Sequence, residues 1–455
     1  MNKTKVSTAS GPDPNHDIDL KAGKFDQTNA GQLHQAFANF LGSGSTHLCV
    51  FFHGGLVSRA DGLKSAADLI QGYTNAGAYP FFFIWNSDLL TIIQEKFKRY
   101  EDDPAYVDAA NLGVKTVARK IDEALAGSRA RAGLPRRLAI PTARLNLRTL
   151  AKFAAPYDRA WARAMGPQLS VTQEELNAFE RALLRIGRVR GRGRGLFSAP
   201  RIRGARSVLG RVIQRLNSGH GHGLFTTVIE ELYIAIGLAD RVAKPLWDQM
   251  KADIDTAFTN DPHAGGSAFL TELQHAWTQM PQLRLTLIGH SAGTIYVQRF
   301  IEALDAALGP QAHQTLEVIT IAAAVSFERM VQGLPALQRR VSAIRVFGLN
   351  NYREGNYWEV PFIYNMSLLY IVCSLCEADP EADRPLLGMQ RYWSGSRPYD
   401  QPYIKAITQL IGSRFVWSPS TTAPPGYRSD ADRHGGFPKE KLTNESVCYA
   451  LANGF

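Results

Sequence analysis

Cysteine is scarce in this chain. Four residues in 455, namely Cys49, Cys373, Cys376 and Cys448, are too few and too scattered for a disulfide framework, which fits a reducing compartment. Cys373 and Cys376 form a CxxC, but no second Cys or His pair stands close to them in the sequence. The expectation is therefore no metal and no cofactor. Long hydrophobic runs are missing too. The longest, from Val360 to Cys376, holds about 17 residues with Asn365 and Ser367 inside it, at the bottom of the membrane-spanning range. It reads as a buried helix. The first residues, MNKTKVSTASGPDPNHDIDLKAGKFD, contain no apolar core of a secretory signal, so a cytoplasmic location is expected. There is no internal repeat, and nothing specifies an oligomeric state.

Acidic residues are missing from one segment. Between Arg129 and Arg215 there are 20 Lys and Arg against four Asp and Glu, although the whole chain carries a net charge of only +10. The densest part, Arg185 to Arg206, has eight arginines, no acid, and glycines that oppose helix formation. Such a stretch reads either as a solvated loop or as a contact surface for an anionic membrane. Nucleic acid is the weaker reading, because no RNA-binding motif accompanies the arginines and only Phe197 could stack on a base.

What is present is an alternation of apolar runs and helical periodicity. His47 to Phe52, Ala78 to Asn86, Arg284 to Ile288, Leu316 to Ala324, Ala343 to Gly348 and Arg414 to Ser418 read as short buried strands. Helical spacing covers Ser58 to Ala76 and, after Ser291, Val297, Phe300, Ile301 and Leu304. Strands that are apolar throughout and alternate with helices predict a parallel sheet covered on both faces. Between Leu89 and Gln282 only helical patterns occur, at Leu89 to Tyr100, Val107 to Leu125, Phe225 to Val242, Leu246 to Phe258 and Ser267 to Met280.

The chemistry concentrates at LRLTLIGHSAGTIYVQRFIEAL, Leu283 to Leu304. Gly-His-Ser-Ala-Gly between a buried strand and a helix predicts a sharp turn that lifts the Ser291 hydroxyl above the sheet edge. Gly289 and Gly293 would let strand and helix approach closely. The backbone N–H of Ala292 is one candidate oxyanion donor. The second is expected from Gly55, with Leu56 next, in the Phe52-His53-Gly54-Gly55 turn that ends an earlier strand. His290 is expected to pack away from the nucleophile. A base is needed, and His434, in DRHGGF beyond the last strand, is the candidate; His220 and His222 are competitors out of topological order.

These motifs resemble the α/β-hydrolase superfamily over His47 to Asp88 and Leu283 to Phe455. The resemblance implies an α/β-hydrolase fold, with a mostly parallel sheet, helices on both faces and a large helical, Arg-rich cap insertion. It implies core segments at 1–88 and 283–455 and a cap at 89–282. It further implies a serine esterase or lipase-like enzyme with Ser291 as nucleophile and His434 as general base. The acid falls by the resemblance on Glu354, with Glu359, Glu377 and Glu328 as alternatives. The turn after Ala343 to Gly348 offers only Asn350 and Asn351 first. An ester substrate, lipid-like if Phe81 to Phe83, Leu232 to Leu238 and Trp247 line the site, is the expected partner. A binding protein that keeps the fold but not the chemistry, and holds nucleic acid or an anionic surface through its arginines, is the alternative.

Overall fold

The structure, a computed structural model, describes residues 11–55, 58–85, 89–100, 103–126, 139–164, 168–189, 207–358, 360–361, 364–377 and 379–455. Eight strands form one sheet: β1 (Asp17–Lys21), β2 (Lys24–Phe25), β3 (His47–Phe52), β4 (Tyr79–Trp85), β5 (Arg284–His290), β6 (Leu316–Ile321), β7 (Val341–Leu349) and β8 (Phe415–Ser418). Their order is β2-β1-β4-β3-β5-β6-β7-β8. Every pairing is parallel except the β1–β2 hairpin at one edge. The protein is thus α/β, with β3 and β5 side by side at the sheet centre.

The two faces of the sheet bury alternate residues of each strand, as pleating requires. Phe52, Phe81 and Phe83 enter one layer with Phe37, Phe269, Tyr296 and Phe300. Phe51 and Phe82 enter the opposite layer with Tyr73, under the helices Arg59–Asn75 and Lys441–Asn453. A strand with both faces covered has no polar side, so β3 and β4 read as unbroken apolar runs. Strand β1 escapes that pattern. Its Asp19 is buried against Arg59, whose guanidinium nitrogens lie 2.8–3.0 Å from the carboxylate.

Among the described residues no strand interrupts 89–282. The insertion is helical, yet it is not a separate body. Val114, Leu150, Val228, Trp247 and Phe269 belong to the same continuous core as β3 and β5. Helix Gly265–Gln279, at its end, lies directly on the sheet through Phe269. Phe225 to Val242 is not one helix: Leu224–Ala235 ends before a π-helical turn, Ala239–Ala243, that runs into Lys244–Thr256 with Pro245 in its first turn. The run Val360 to Cys376 is helical only over its second half. Leu368–Ile371 continues into a π-helical turn, Val372–Cys376, buried throughout. Pro361, with no N–H to donate, stands outside the helix. No described helix is long and apolar enough to cross a membrane. Arg190 to Arg206 lies outside the described residues; the stretch before it, including Gly187, continues the helix Gln173–Val189, so the expected helix break comes no earlier than its end.

Candidate active site

Ser291 follows β5 directly and adopts φ +53°, the left-handed region that a side chain with a Cβ rarely occupies. Such a conformation costs roughly 1–3 kcal/mol and persists only when its surroundings enforce it. Here they do. The Ser291 amide donates to Ile321 O at 2.8 Å, and its carbonyl accepts from the Thr294 hydroxyl at 2.6 Å and from the Thr294 and Ala324 amides at 3.1 Å. The helix Gly293–Leu308 starts at once, with its N-terminus beside the serine. Both glycines of the turn are required by contact. A Cβ on Gly289 would stand 2.8–2.9 Å from Val297, Gly293 O and Thr294 Cα; on Gly293 it would stand 2.1 Å from Phe52 O.

The far end of the chain supplies the partner. His434 opens a short 3-10 turn, His434–Lys439, and its Nε2 lies 2.9 Å from Ser291 Oγ, across 143 residues of sequence. For Nε2 to accept the hydroxyl proton, the ring proton must sit on Nδ1. That atom is buried and has no hydrogen-bond partner among the described residues. Burial, and then the neighbouring His290, hold the His434 pKa well below its ordinary 6.5. The ring is therefore neutral, and free to accept a proton, at neutral pH.

Glu354 does not supply the missing partner. After β7 the chain turns into a single helical turn, Asn351–Glu354, capped by the Asn350 side chain. That turn carries the Glu354 carboxylate into the interior, where the Ser367 hydroxyl donates to it. Glu377 accepts from Trp247 Nε1 at 2.6 Å, and Glu328 pairs with Arg384. Glu359 lies outside the described residues. The group that does reach the histidine loop from this turn is Arg353. It donates to Ser418 Oγ at 2.9 Å, to Ala431 O at 2.7 Å and to Asp430 at 2.7 Å. Sequence reasoning missed it because a cation was not sought where an acid was expected.

On the oxyanion side, Gly55 stands against Ala292: a Cβ on Gly55 would lie 2.8 Å from Ala292 Cβ and 2.6 Å from Met250 Sδ. Neither amide donates to a backbone acceptor among the described residues. Leu56 lies outside them. His53 fixes this turn. Its Nε2 accepts from the Trp85 amide at 3.0 Å, which puts its proton on Nδ1, and that donates to Gly54 O at 2.9 Å. Burial lowers its pKa to about 4. The His290 side chain makes no hydrogen bond to Ser291 Oγ among the described residues and packs on the candidate base. Its ring packs 5.4 Å from that of His434, and its Nε2 lies 3.4 Å from His434 O. Of the three buried imidazoles His53, His290 and His434, His434 is the one that bonds the Ser291 hydroxyl.

Ser291 and His434 are 4% and 3% exposed. Met250, on the insertion helix Lys244–Thr256, covers Gly55. The aromatic lining expected from Phe81 to Phe83 is absent, because those rings fill the core. Trp247 and Leu232 are likewise fully buried in it. A cleft of about 290 Å³ that reaches Ile295 of the helix Gly293–Leu308 is lined instead by charges, among them Lys251, Arg299, Arg329, Asp255 and Glu377. His220 and His222 bond Asp383 and Glu230 rather than Ser291. No family model, no curated protein and no solved structure matches this chain.

Proposed function

We propose that this protein is a serine hydrolase of the α/β-hydrolase type that cleaves carboxylic esters. The observation that carries the reading is the 2.9 Å contact between Ser291 Oγ and His434 Nε2, with the serine at φ +53° between strand and helix. The strand order β4-β3-β5-β6-β7-β8 around that turn supports it. Ser291 Oγ attacks the acyl carbon as its proton passes to His434 Nε2. The oxyanion takes hydrogen bonds from the Gly55 and Ala292 amides. His434 then protonates the departing alkoxide, and water releases the acyl group by the reverse sequence. Substrate enters when Met250 withdraws. The substrate is a carboxylic ester; the cleft that reaches Ile295 is lined mainly by charged side chains and offers no apolar groove for a long acyl chain, and no cofactor takes part.

A second reading is favoured by His434 Nδ1, which has no partner among the described residues: a protein that keeps the fold without the chemistry and binds anionic surfaces or nucleic acid through its arginines. Labelling by a fluorophosphonate probe separates the two. The wild type is expected to label, and Ser291→Ala and His434→Ala are expected to abolish it. A wild type that stays unlabelled, including after detergent is added to free the site, rejects the hydrolase reading.

The acid has its own test. An acid that orients the imidazole is worth roughly 10⁴ in rate. With its carboxylate turned to Ser367, Glu354 lacks that role, so Glu354→Gln is expected to change the labelling rate by less than about fivefold. A loss beyond about a hundredfold in a variant of unchanged urea midpoint would restore Glu354 to the triad.

A further inference from the structure

Beneath the insertion, far from Ser291 in sequence, lies a second buried cluster. His222, Cys373 and Asp383 each offer one ligand atom, and these atoms lie within 4.8 Å of one another. All three residues are at most 2% exposed. His222 stands between two carboxylates: its Nδ1 is 2.8 Å from Glu230 Oε1, and its Nε2 is 2.8 Å from Asp383 Oδ1. A neutral imidazole has one N–H and can donate to only one of them. The other contact calls for a second proton or a cation.

We infer that His222 Nε2, Cys373 Sγ and Asp383 Oδ1 form a binding site for a divalent, zinc-class cation that ties the insertion to the segment after β7. Imidazole, thiolate and carboxylate are the donors such an ion takes, with a solvent oxygen to complete four-coordination. The surroundings fit. Glu230 is placed to accept from Nδ1–H and so to fix the tautomer that presents Nε2, the arrangement that metal-bound histidines use. Asp383 is oriented through its other oxygen by His220 Nδ1 at 3.1 Å and by the Tyr399 hydroxyl, while Tyr392 also donates to Oδ1. Arg391, 3.5 Å from Oδ2, and Arg215, 2.6 Å from Glu230 Oε2, balance the carboxylates. Binding releases the thiol proton to solvent, because the thiolate is the ligand form, and the ion takes the Nε2 lone pair in place of the contact with Asp383.

The backbone is specialised at two of the three ligands. Cys373 lies in the π-helical turn Val372–Cys376, an uncommon geometry that recurs at functional sites. Asp383 follows Ala382, which has φ +49° and whose carbonyl accepts from Arg215 at 3.2 Å. The CxxC at Cys373 and Cys376 gave no such indication, because His222 comes from the distant insertion, Asp383 belongs to no ligand-spacing motif, and Cys376 is not among the ligands.

The test is elemental analysis of the full-length protein, expressed with zinc and freed of loosely held metal by gel filtration. About one zinc per chain is expected. Cys373→Ser and His222→Gln should lose it, and Glu230→Gln should weaken retention by about 10–100-fold. Cobalt(II) in place of zinc should give a thiolate charge-transfer absorption that Cys373→Ser abolishes. A wild type that retains no zinc after growth or refolding in excess zinc overturns the inference, and so does zinc retained equally by Cys373→Ser. Neither readout uses Ser291, so the site and the proposed hydrolase chemistry stand or fall separately.

Discussion

Gly293→Ala is expected to destabilise the protein by roughly 3 kcal/mol, the upper end of the ordinary overpacking range, and to abolish fluorophosphonate labelling. In an open helix the same change gains about 1 kcal/mol from alanine's propensity. The new methyl group would stand 2.1 Å from Phe52 O and 2.7 Å from both Phe52 C and His53 O. Those atoms are backbone at the end of β3, held by parallel pairing to β4 on one side and β5 on the other. Close packing leaves them no direction in which to yield. Relief would come by widening the gap between the helix start and the Gly54-Gly55 turn, which separates the two amides proposed to hold the oxyanion. Gly210→Ala is the control. Gly210 lies in the helix Val208–Ser218 with nothing within 4 Å of an added Cβ, and it should match or exceed wild-type stability. Urea midpoints of the two variants decide the matter. Near-native stability of Gly293→Ala would mean that strand and helix can separate cheaply.

Acidification is expected to destabilise the protein well above the range where carboxylates protonate. Burial is the main cause that lowers the pKa of four histidines: His47 to about 3, His53 and His290 to about 4, and His434 well below its ordinary value. Below pH 6.5 the unfolded chain protonates all four and the folded chain does not. The unfolded state then binds more protons, so stability falls as pH falls. Two carboxyls oppose this. Asp17 and the less completely buried Asp158 are raised by burial to about 7, so the folded state binds two protons there that the unfolded state releases. The difference leaves about two protons, or about 2 kcal/mol per pH unit between pH 6 and 5. That slope is large against a stability of about 5–15 kcal/mol. His47→Gln, at the start of β3 and apart from the site, should remove about one proton from it. Its Nε2–H bond to the Thr286 hydroxyl, 2.9 Å, is one that a glutamine amide can replace. Urea midpoints at pH 7.5, 6.0 and 5.0 measure the slope, and a stability independent of pH over that interval would show that the histidines are accessible to protons in the folded state.

The sequence by itself determined the central strands, the helix after Ser291 and the pairing of Ser291 with His434. Each follows from local pattern. Strands covered on both faces need unbroken apolar residues, a tight strand-helix turn needs glycine at Gly289 and Gly293, and a histidine after the last strand returns to the same sheet edge. The hairpin β1–β2 was not legible, because the polar side of DIDLK is buried only through Arg59, an ion pair that periodicity does not encode. Nor was the fate of Glu354. Its place in the chain is the one that the resemblance gives to an orienting acid, but a helical turn capped by Asn350 directs it toward Ser367, and Arg353 takes the histidine loop instead. Tertiary structure alone decided that the insertion shares the core of the sheet, that His290 packs on His434, and that His222, Cys373 and Asp383 converge. Those are contacts between residues distant in sequence. Their geometry is set by how whole elements pack, and local residue patterns carry no record of it.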